Sequence, residues 1–354
     1  MVALRQILPD APPKNILSIR EFTGEGGDEL LNLRGCYEKF LLPSLEAREN
    51  TLRAYQTALN HWERITPDPA VEAIDDELCQ KFLRRLGELT STENSSKVWT
   101  AIRPILRRIG PRETGNPAGL GIIRFVPYAR TKKRRAAEKR ILSLDELDRL
   151  WRACNVVQWP VGLRIPAPLW WRTALVVDSN YGMRTGDLVK QRPHHVGLRW
   201  DAVRSEPRCP YHFVQEVNAE GWIVYCPEKT SEFKPEPLHL PMLDVVARHL
   251  EEISAYRRHL GESLILPAPT HPKALRRELS RISKAAGIDP PVNFKHLRTT
   301  ANYRWDSVEL GLGSLVLGHA ARSVNAKHYA VSVGHLVRAA SKIEQPEAFK
   351  GPLS

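Results

Sequence analysis

Apolar side chains recur at helical spacing through most of the chain. Leu30, Leu31, Leu33, Tyr37, Phe40 and Leu41 fall on one stripe, which predicts an amphipathic helix that Pro43 ends. A second helix is predicted from Asn50-Thr51, with Leu52, Tyr55, Leu59 and Trp62 on its apolar face. A third starts at Asp75 or Asp76 and carries Leu78, Phe82, Leu83 and Leu86. A fourth follows Ser95 with Val98, Ile102, Leu106 and Ile109, and Pro104 inside it is expected to kink or shorten it. Four short helices with modest loops make a small bundle over 28–118, closed by Gly115-Asn116-Pro117 and Gly119. Residues 1–27 hold several Pro and Gly and no sustained period, and read as a loosely held tail with a short strand at Asn15 to Ile19.

The pattern changes in the second half. Ser143-Leu144-Asp145-Glu146 has the form of a capping motif and opens a second domain over 141–354. Leu169 to Val177 predicts an apolar helix, and Gly182 to Leu188 a turn feeding another. Trp222 to Tyr225 and Pro237 to Leu240 read as short strands, joined by a turn that holds Lys229 and Lys234. Met242 to Leu260, Pro272 to Ala286 and Leu297 to Leu310 read as helices. The fold class is mainly α with a small antiparallel β-sheet. Residues 119–140 read as a basic interdomain linker. Its segment Thr131 to Arg140 carries six bases and one acid, among them Lys132, Lys133, Arg134 and Arg135, a composition suited to lying along a phosphate backbone.

Bulk properties narrow the function. A length of 354 residues suits two domains at roughly 150 residues each. No apolar run of about 18 residues occurs, so no membrane span is expected, and Met1 to Asp10 lacks the form of a secretory signal. Fifty-two Lys+Arg against 40 Asp+Glu leave a net charge of +12, an excess that favours a polyanionic partner, nucleic acid first. In the bundle, Arg48, Arg53, Lys97, Arg103, Arg107 and Arg108 could line a face toward DNA phosphates, though any one alone reads better as part of a solvated helix face. The five cysteines are odd in number and scattered, as expected of reduced thiols in a cytoplasmic protein. Cys209, His212 and Cys226 lack the CxxC pairing of a zinc site, and no metal is expected.

Candidate chemistry concentrates near the end of the chain. Lys295-His296-Leu297-Arg298, Leu317-Gly318-His319 and His328-Tyr329 set one phenol among several cations. A tyrosine is a poor nucleophile at neutral pH, its pKa being about 10. Guanidinium, ammonium and imidazole groups lower the cost of the phenolate and can also hold a phosphodiester. Such a site needs another arginine and a lysine upstream, and Arg184 and Lys229 are candidates.

Together these residues resemble the tyrosine recombinases of the phage integrase type, over roughly residues 30 to 340. Gly182-Met183-Arg184-Thr185-Gly186-Asp187-Leu188 resembles the box around that family's first catalytic arginine, Lys229-Thr230 its hairpin lysine, and Leu317-Gly318-His319 its Leu-Gly-His. Asn50-Thr51-Leu52-Arg53-Ala54-Tyr55 resembles a pattern of its first domain. The resemblance implies a helical, SAM-like core-binding bundle followed by a catalytic domain of the DNA breaking-rejoining fold. It implies Arg184 and Arg298 on the scissile phosphate, Lys229 as general acid, Lys295 and His319 as hydrogen-bonding or proton-transfer groups, and Tyr329 as nucleophile. Asp187 would support the arginines. The family's usual histidine of the third box is Lys295 here, with His296 one place on, so either can fill that role. Lys234 shares the turn with Lys229. The implied reaction is site-specific recombination through a 3′-phosphotyrosine, without cofactor, metal or ATP. The implied partners are double-stranded DNA, a homotetramer on two sites and accessory DNA-bending proteins, with no membrane and a nucleoid-associated location. A type IB topoisomerase-like enzyme or a catalytically inactive DNA-binding relative are the alternatives, and a plain RNA-binding protein would account for the charge but not for the tyrosine box.

Overall fold

The computed structural model describes residues 31–47, 49–131, 138–190, 195–206, 219–228, 237–256, 263–267, 272–318 and 329–351. The strand expected at Asn15 to Ile19 lies outside them, as do Arg48, Cys209 and His212. The chain divides into two compact units, 1–137 and 138–354.

In the first unit Asn32 caps helix α1 (Leu33–Cys36), its side chain accepting the Gly35 N–H at 2.7 Å. The chain continues through a π-helical turn at Tyr37–Leu41 and a 3-10 turn at Leu42–Ser44, where Pro43 stops it. Helix α2 spans Glu49–Ile65, and α3 spans Asp76–Leu89 with Asp75 as its cap, bonded to the Leu78 N–H at 2.7 Å. Helix α4 spans Thr92–Ile109. It starts a turn earlier than the sequence reading, because Ser91 caps it. It also runs through Pro104 to Ile109 rather than stopping there. Proline removes one ladder bond, but Ile102, Ile105, Leu106 and Ile109 on both sides of it are fully buried, and their burial outweighs that loss. Trp62 and Phe82 pack with ring centroids 5.0 Å apart at the centre.

Residues 119–131, expected to start a linker, lie against this unit. Leu120 and Gly121 donate main-chain bonds to Arg108 and Gly110 at 3.0 and 2.8 Å. Tyr128 N–H reaches Asp76 at 2.7 Å and Arg130 N–H reaches Gln80 at 3.0 Å. Ile123 and Ala129 join the core.

The second unit opens with α5 (Leu144–Ala153), whose capping box between Ser143 and Glu146 is complete. Helix α6 (Ala167–Tyr181) is buried on every side and forms the spine. After α7 (Thr185–Leu188), strands β1 (Val203–Arg204), β2 (Trp222–Tyr225) and β3 (Leu238–Pro241) make an antiparallel sheet in that order. Trp222 pairs with Pro241, and Tyr225 with Leu238. Helices α8 (Asp244–Ala255), α9 (Pro272–Ala285), α10 (Phe294–Val308) and α11 (Leu312–Val316) follow. Helix α10 packs on both α6 and α11. Two of the buried tryptophans have their N–H groups paired: Trp171 with the Trp159 carbonyl at 2.8 Å and Trp305 with the Asn180 carbonyl at 2.7 Å.

Helix α12 (Tyr329–Ala340) and α13 (Glu347–Lys350) end the description. Val333, Leu336, Ala339 and Ile343 are buried within their own chain. His335 Nδ1 lies 2.5 Å from Glu309. Arg248 holds the carbonyls of Phe349 and Lys350 at 3.1 and 2.9 Å, and Ala348 N–H meets Asp148 at 2.6 Å.

Candidate phosphate-binding site

The site is built where α6 ends. Gly182 takes the left-handed conformation (φ +56°) and returns its N–H to the Asp178 carbonyl at 2.7 Å. A side chain would not fit there: a Cβ on Gly182 would stand 2.6 Å from Leu317 Cδ2 and 3.2 Å from the Arg298 Cα. The bare backbone therefore lets α10 and the segment after α11 close onto the turn that carries Arg184. Gly318 is also left-handed (φ +65°), and a Cβ there would meet Leu238 Cδ1 at 2.8 Å.

Arg184 caps the short α7 and is half-buried. Its Nη1 lies 3.8 Å from Asp187 Oδ2, and Asp187 N–H bonds back to the Arg184 carbonyl at 2.8 Å. The Asp187 carboxylate is buried and accepts the Glu228 N–H at 3.0 Å, which fastens the end of the hairpin strand to the arginine turn. Burial pushes the Asp187 carboxyl above the usual range, and the Glu228 N–H and both arginines work against that. Arg298, on α10, donates through Nη1 to the Gly182 carbonyl and through Nη2 to the Leu317 carbonyl at 3.1 Å. One side chain thus joins the arginine turn to the Leu317-Gly318 segment. Burial pulls the Arg298 guanidinium down, and the field of Arg184 adds to this. Two cations held this close repel each other, and an anion between them would relieve the repulsion.

Arg184, Asp187 and Arg298 are thereby brought together. Lys295 is exposed on the first turn of α10. His296 instead completes the capping box of that helix with Asn293, its N–H donating to Asn293 Oδ1 at 3.1 Å. Burial, then Arg140 and Lys295, pull the His296 imidazole down. Lys229, Lys234 and His319 lie outside the described residues. Tyr329 is the first residue of α12.

Among the first-unit cations, Arg53 and Lys97 are exposed and pair along their helices with Glu49 at 2.5 Å and Glu93 at 2.8 Å. Arg103 is exposed on α4. Arg107 and Arg108 are bound to carbonyls of Gly115 and Ala118 at 2.6 and 2.8 Å. Lys132, Lys133, Arg134 and Arg135 lie outside the described residues.

Three features escaped the sequence reading. Helix α9 exposes Lys273, Arg276, Arg277, Arg281 and Lys284 while burying Leu275, Leu279 and Ile282, and the spacing of these bases was the available signal. Tyr225, half-buried at the end of β2, lies within electrostatic reach of Arg184, Arg298, Asp187 and Asp178. Asp178 is fully buried within electrostatic reach of Arg298, and its signal was a carboxylate inside an apolar helix.

The sequence matches no family model and no curated protein. The fold does have solved counterparts, and it is the fold of the tyrosine recombinases. A lambda integrase tetramer bound to a Holliday junction superposes with a TM-score of 0.59 at 17% identity, over 85% of this chain and 78% of that one. XerH site-specific recombinase bound to its difH substrate gives 0.53 at 13% identity, over 79% and 75%. The Tn1549 transposon integrase in complex with transposon right end DNA gives 0.53 at 11% identity, over 85% and 94%.

Proposed function

We propose that this chain is a site-specific DNA recombinase that breaks and rejoins DNA through a 3′-phosphotyrosine. The observation that carries the reading is the convergence of Arg184 and Arg298 on one turn, in a fold whose solved counterparts were bound to DNA. A phosphodiester has one negative charge and gains another as a nucleophile adds. Two guanidiniums can meet that gain with paired hydrogen bonds. At about 4 Å and an effective dielectric near 20, one charge pair is of order 4 kcal/mol, so two contacts that strengthen in the transition state supply several decades of rate.

Tyr329 then attacks phosphorus. A P–O bond to its phenol oxygen forms, the bond to the 5′ oxygen breaks, and Lys229 or Lys234 gives the departing oxygen its proton. His319 and Lys295 assist loss of the phenol proton and hold the phosphate. Because the His296 imidazole is engaged with Asn293, whose N–H it accepts through Nδ1 at 3.4 Å, Lys295 is the better candidate for the third box. The new ester retains the bond energy, so another 5′ hydroxyl can reverse the step without ATP. Exposed cations of the bundle and the 131–140 segment would contact phosphates. The working form would be a homotetramer on two double-stranded sites, with DNA-bending proteins as accessory factors.

The test is incubation with nicked trapping duplexes drawn from the sequences flanking the gene, with Tyr329→Phe as control. A covalent adduct that depends on Tyr329, followed by strand transfer between two duplexes, is expected. An adduct with plasmid relaxation but no transfer would indicate a type IB topoisomerase-like enzyme, and binding without an adduct a DNA-binding relative without catalysis.

A further inference from the structure

Helix α11 is five residues long, too short to hold itself by internal bonds, and it carries the chain into the Leu317-Gly318 segment that Arg298 grips. Side chains of α10 hold it at both ends. At its start Asp306 Oδ1 accepts the N–H groups of Gly311 and Gly313 at 3.0 and 2.9 Å. Asp306 Oδ2 accepts a bond from the Asn302 side-chain amide at 2.8 Å, which fixes the carboxylate against its own helix. At the far end Arg298 Nη2 donates to the Leu317 carbonyl at 3.1 Å. Gly313 joins the two ends: its N–H meets Asp306, and its carbonyl takes the Leu317 N–H at 3.0 Å. A run of hydrogen bonds therefore leads from Asp306 through Gly313 and Leu317 to Arg298, and its first link is the Asp306 carboxylate itself.

Packing confines α11 as well. A Cβ on Gly313 would stand 2.3 Å from the Asn302 carbonyl oxygen, so α11 lies directly on the α10 backbone, with Leu312 and Val316 buried. Asp306 and Arg298 are separated by about 12 Å along α10, at 1.5 Å per residue, and α11 runs back between them. A carboxylate at its amino end and a guanidinium at its carboxyl end also match the sense of its backbone dipoles. Glu309, in the same turn, meets His335 of α12 at 2.5 Å, so this turn also touches the helix that starts at Tyr329. Without the Asp306 carboxylate, the Gly311 and Gly313 N–H groups lose that acceptor and α11 can slide along α10. The Leu317 carbonyl would move with it, and the tether of Arg298 at Leu317 would loosen. A misplacement of about 1 Å at a reacting centre can cost 10²-fold in rate.

We propose that Asp306 is a positioning residue for Arg298: by holding the start of α11 it sets the Leu317 carbonyl to which the guanidinium is tethered, and so fixes the angle of that guanidinium to a bound phosphodiester. The proposal rests on the recombinase reading for the identity of that anion.

Two variants of the full chain, Asp306→Ala and Asp306→Asn, test it, since asparagine keeps an oxygen for the two N–H groups and alanine does not. On saturating nicked trapping duplexes, Asp306→Ala should lower the adduct rate by about tenfold or more, with DNA affinity within about twofold of the wild type. Asp306→Asn should stay within about threefold of the wild-type rate. Added to Arg298→Lys, Asp306→Ala should deepen the loss by less than about threefold, because both changes act on one group. Amide hydrogen exchange at Gly313 and Leu317 should speed up in Asp306→Ala and not in Asp306→Asn. Asp306→Ala at the wild-type rate overturns the proposal, as does Asp306→Asn as slow as Asp306→Ala, a double variant whose losses multiply, or unchanged exchange at Leu317 in Asp306→Ala. If Asp306→Ala does not fold, Asp306→Ser, too short to reach both N–H groups, replaces it under the same criteria. A wild type that forms no adduct on any duplex refutes the recombinase reading, and the exchange rates alone then decide whether Asp306 sets the Leu317 carbonyl.

Discussion

Arg34 in the first unit and Arg184 in the second are about equally exposed, at 25% and 27% of the side chain, yet they do different work. Arg34 donates to Glu63 through two nitrogens, Nη2 at 2.9 Å, and to Gln56 and Asn60 at 2.7 and 2.8 Å. Its fork is filled, and the pair fastens α1 to α2. Arg184 stands 3.8 Å from Asp187, beyond a hydrogen bond, so among the described residues its donors are open to a third group. Exposure alone does not tell a cation with a filled fork from one proposed to bind a ligand. The geometry of its carboxylate does.

That contrast can be broken at several points. The largest effect is expected from Tyr329→Phe, which should abolish the covalent adduct on denaturing gels while leaving DNA binding in place. Next comes Arg298→Lys. An ammonium cannot reproduce the fork, and loss of one stabilising donor costs about 10²- to 10³-fold in adduct rate; the same exchange at Arg34 should leave the rate untouched and lower only stability. Gly182→Ala should destabilise the second unit by about 1–3 kcal/mol, read as a lower melting temperature, since the left-handed turn and the neighbouring α10 both exclude a methyl group.

The acids of the two units should respond to pH with opposite sign. Arg34 holds Glu63 below the usual carboxylate range, so that pair stabilises the fold above the ordinary glutamate pKa of about 4.3 and loses its contribution as pH falls through the depressed value. Asp178 is raised, so the fold has its full stability below the ordinary aspartate pKa of about 3.9 and loses some of it as pH rises toward the raised value. Melting curves should show Glu63→Gln weaker than wild type at pH 7 but not in strong acid, and Asp178→Asn more stable at pH 7 with no gain in strong acid. The smallest effect is expected at the surface. Lys97→Ala should reduce the salt slope of DNA binding by less than about 1, because Glu93 already neutralises that lysine.

Much of this was legible in the residues. Ser143 and Glu146 announced a cap that the structure completes, and Asp75 announced another. The apolar stripes of α2 and α3 face the core they predict. Pro104 does not shorten α4; a ladder defect is visible locally and the burial that outweighs it is not. Strand β1 went unseen: two residues carry no alternation. The arginine turn was readable because a glycine, an arginine and an acid must be close in sequence to build it. Asp178 and Tyr225 were not, since their meaning comes from α10 and β2 folding over them. The helix was read from Leu297, so the cap that Asn293 and His296 form ahead of it was not seen.

One further feature has a use in engineering. Helix α13 lies on α5, joined by the Ala348–Asp148 bond, so the second unit brings α13 back to its first helix and closes into a ring. Such a layout suits circular permutation: a short bridge from Gly351 to Ile141, with new ends cut at the exposed Gly162 loop, would keep every helix in place. The permuted ring would pin α12 at its far end, and comparing its adduct yield with that of the linear chain would test whether the proposed reaction needs that helix to move.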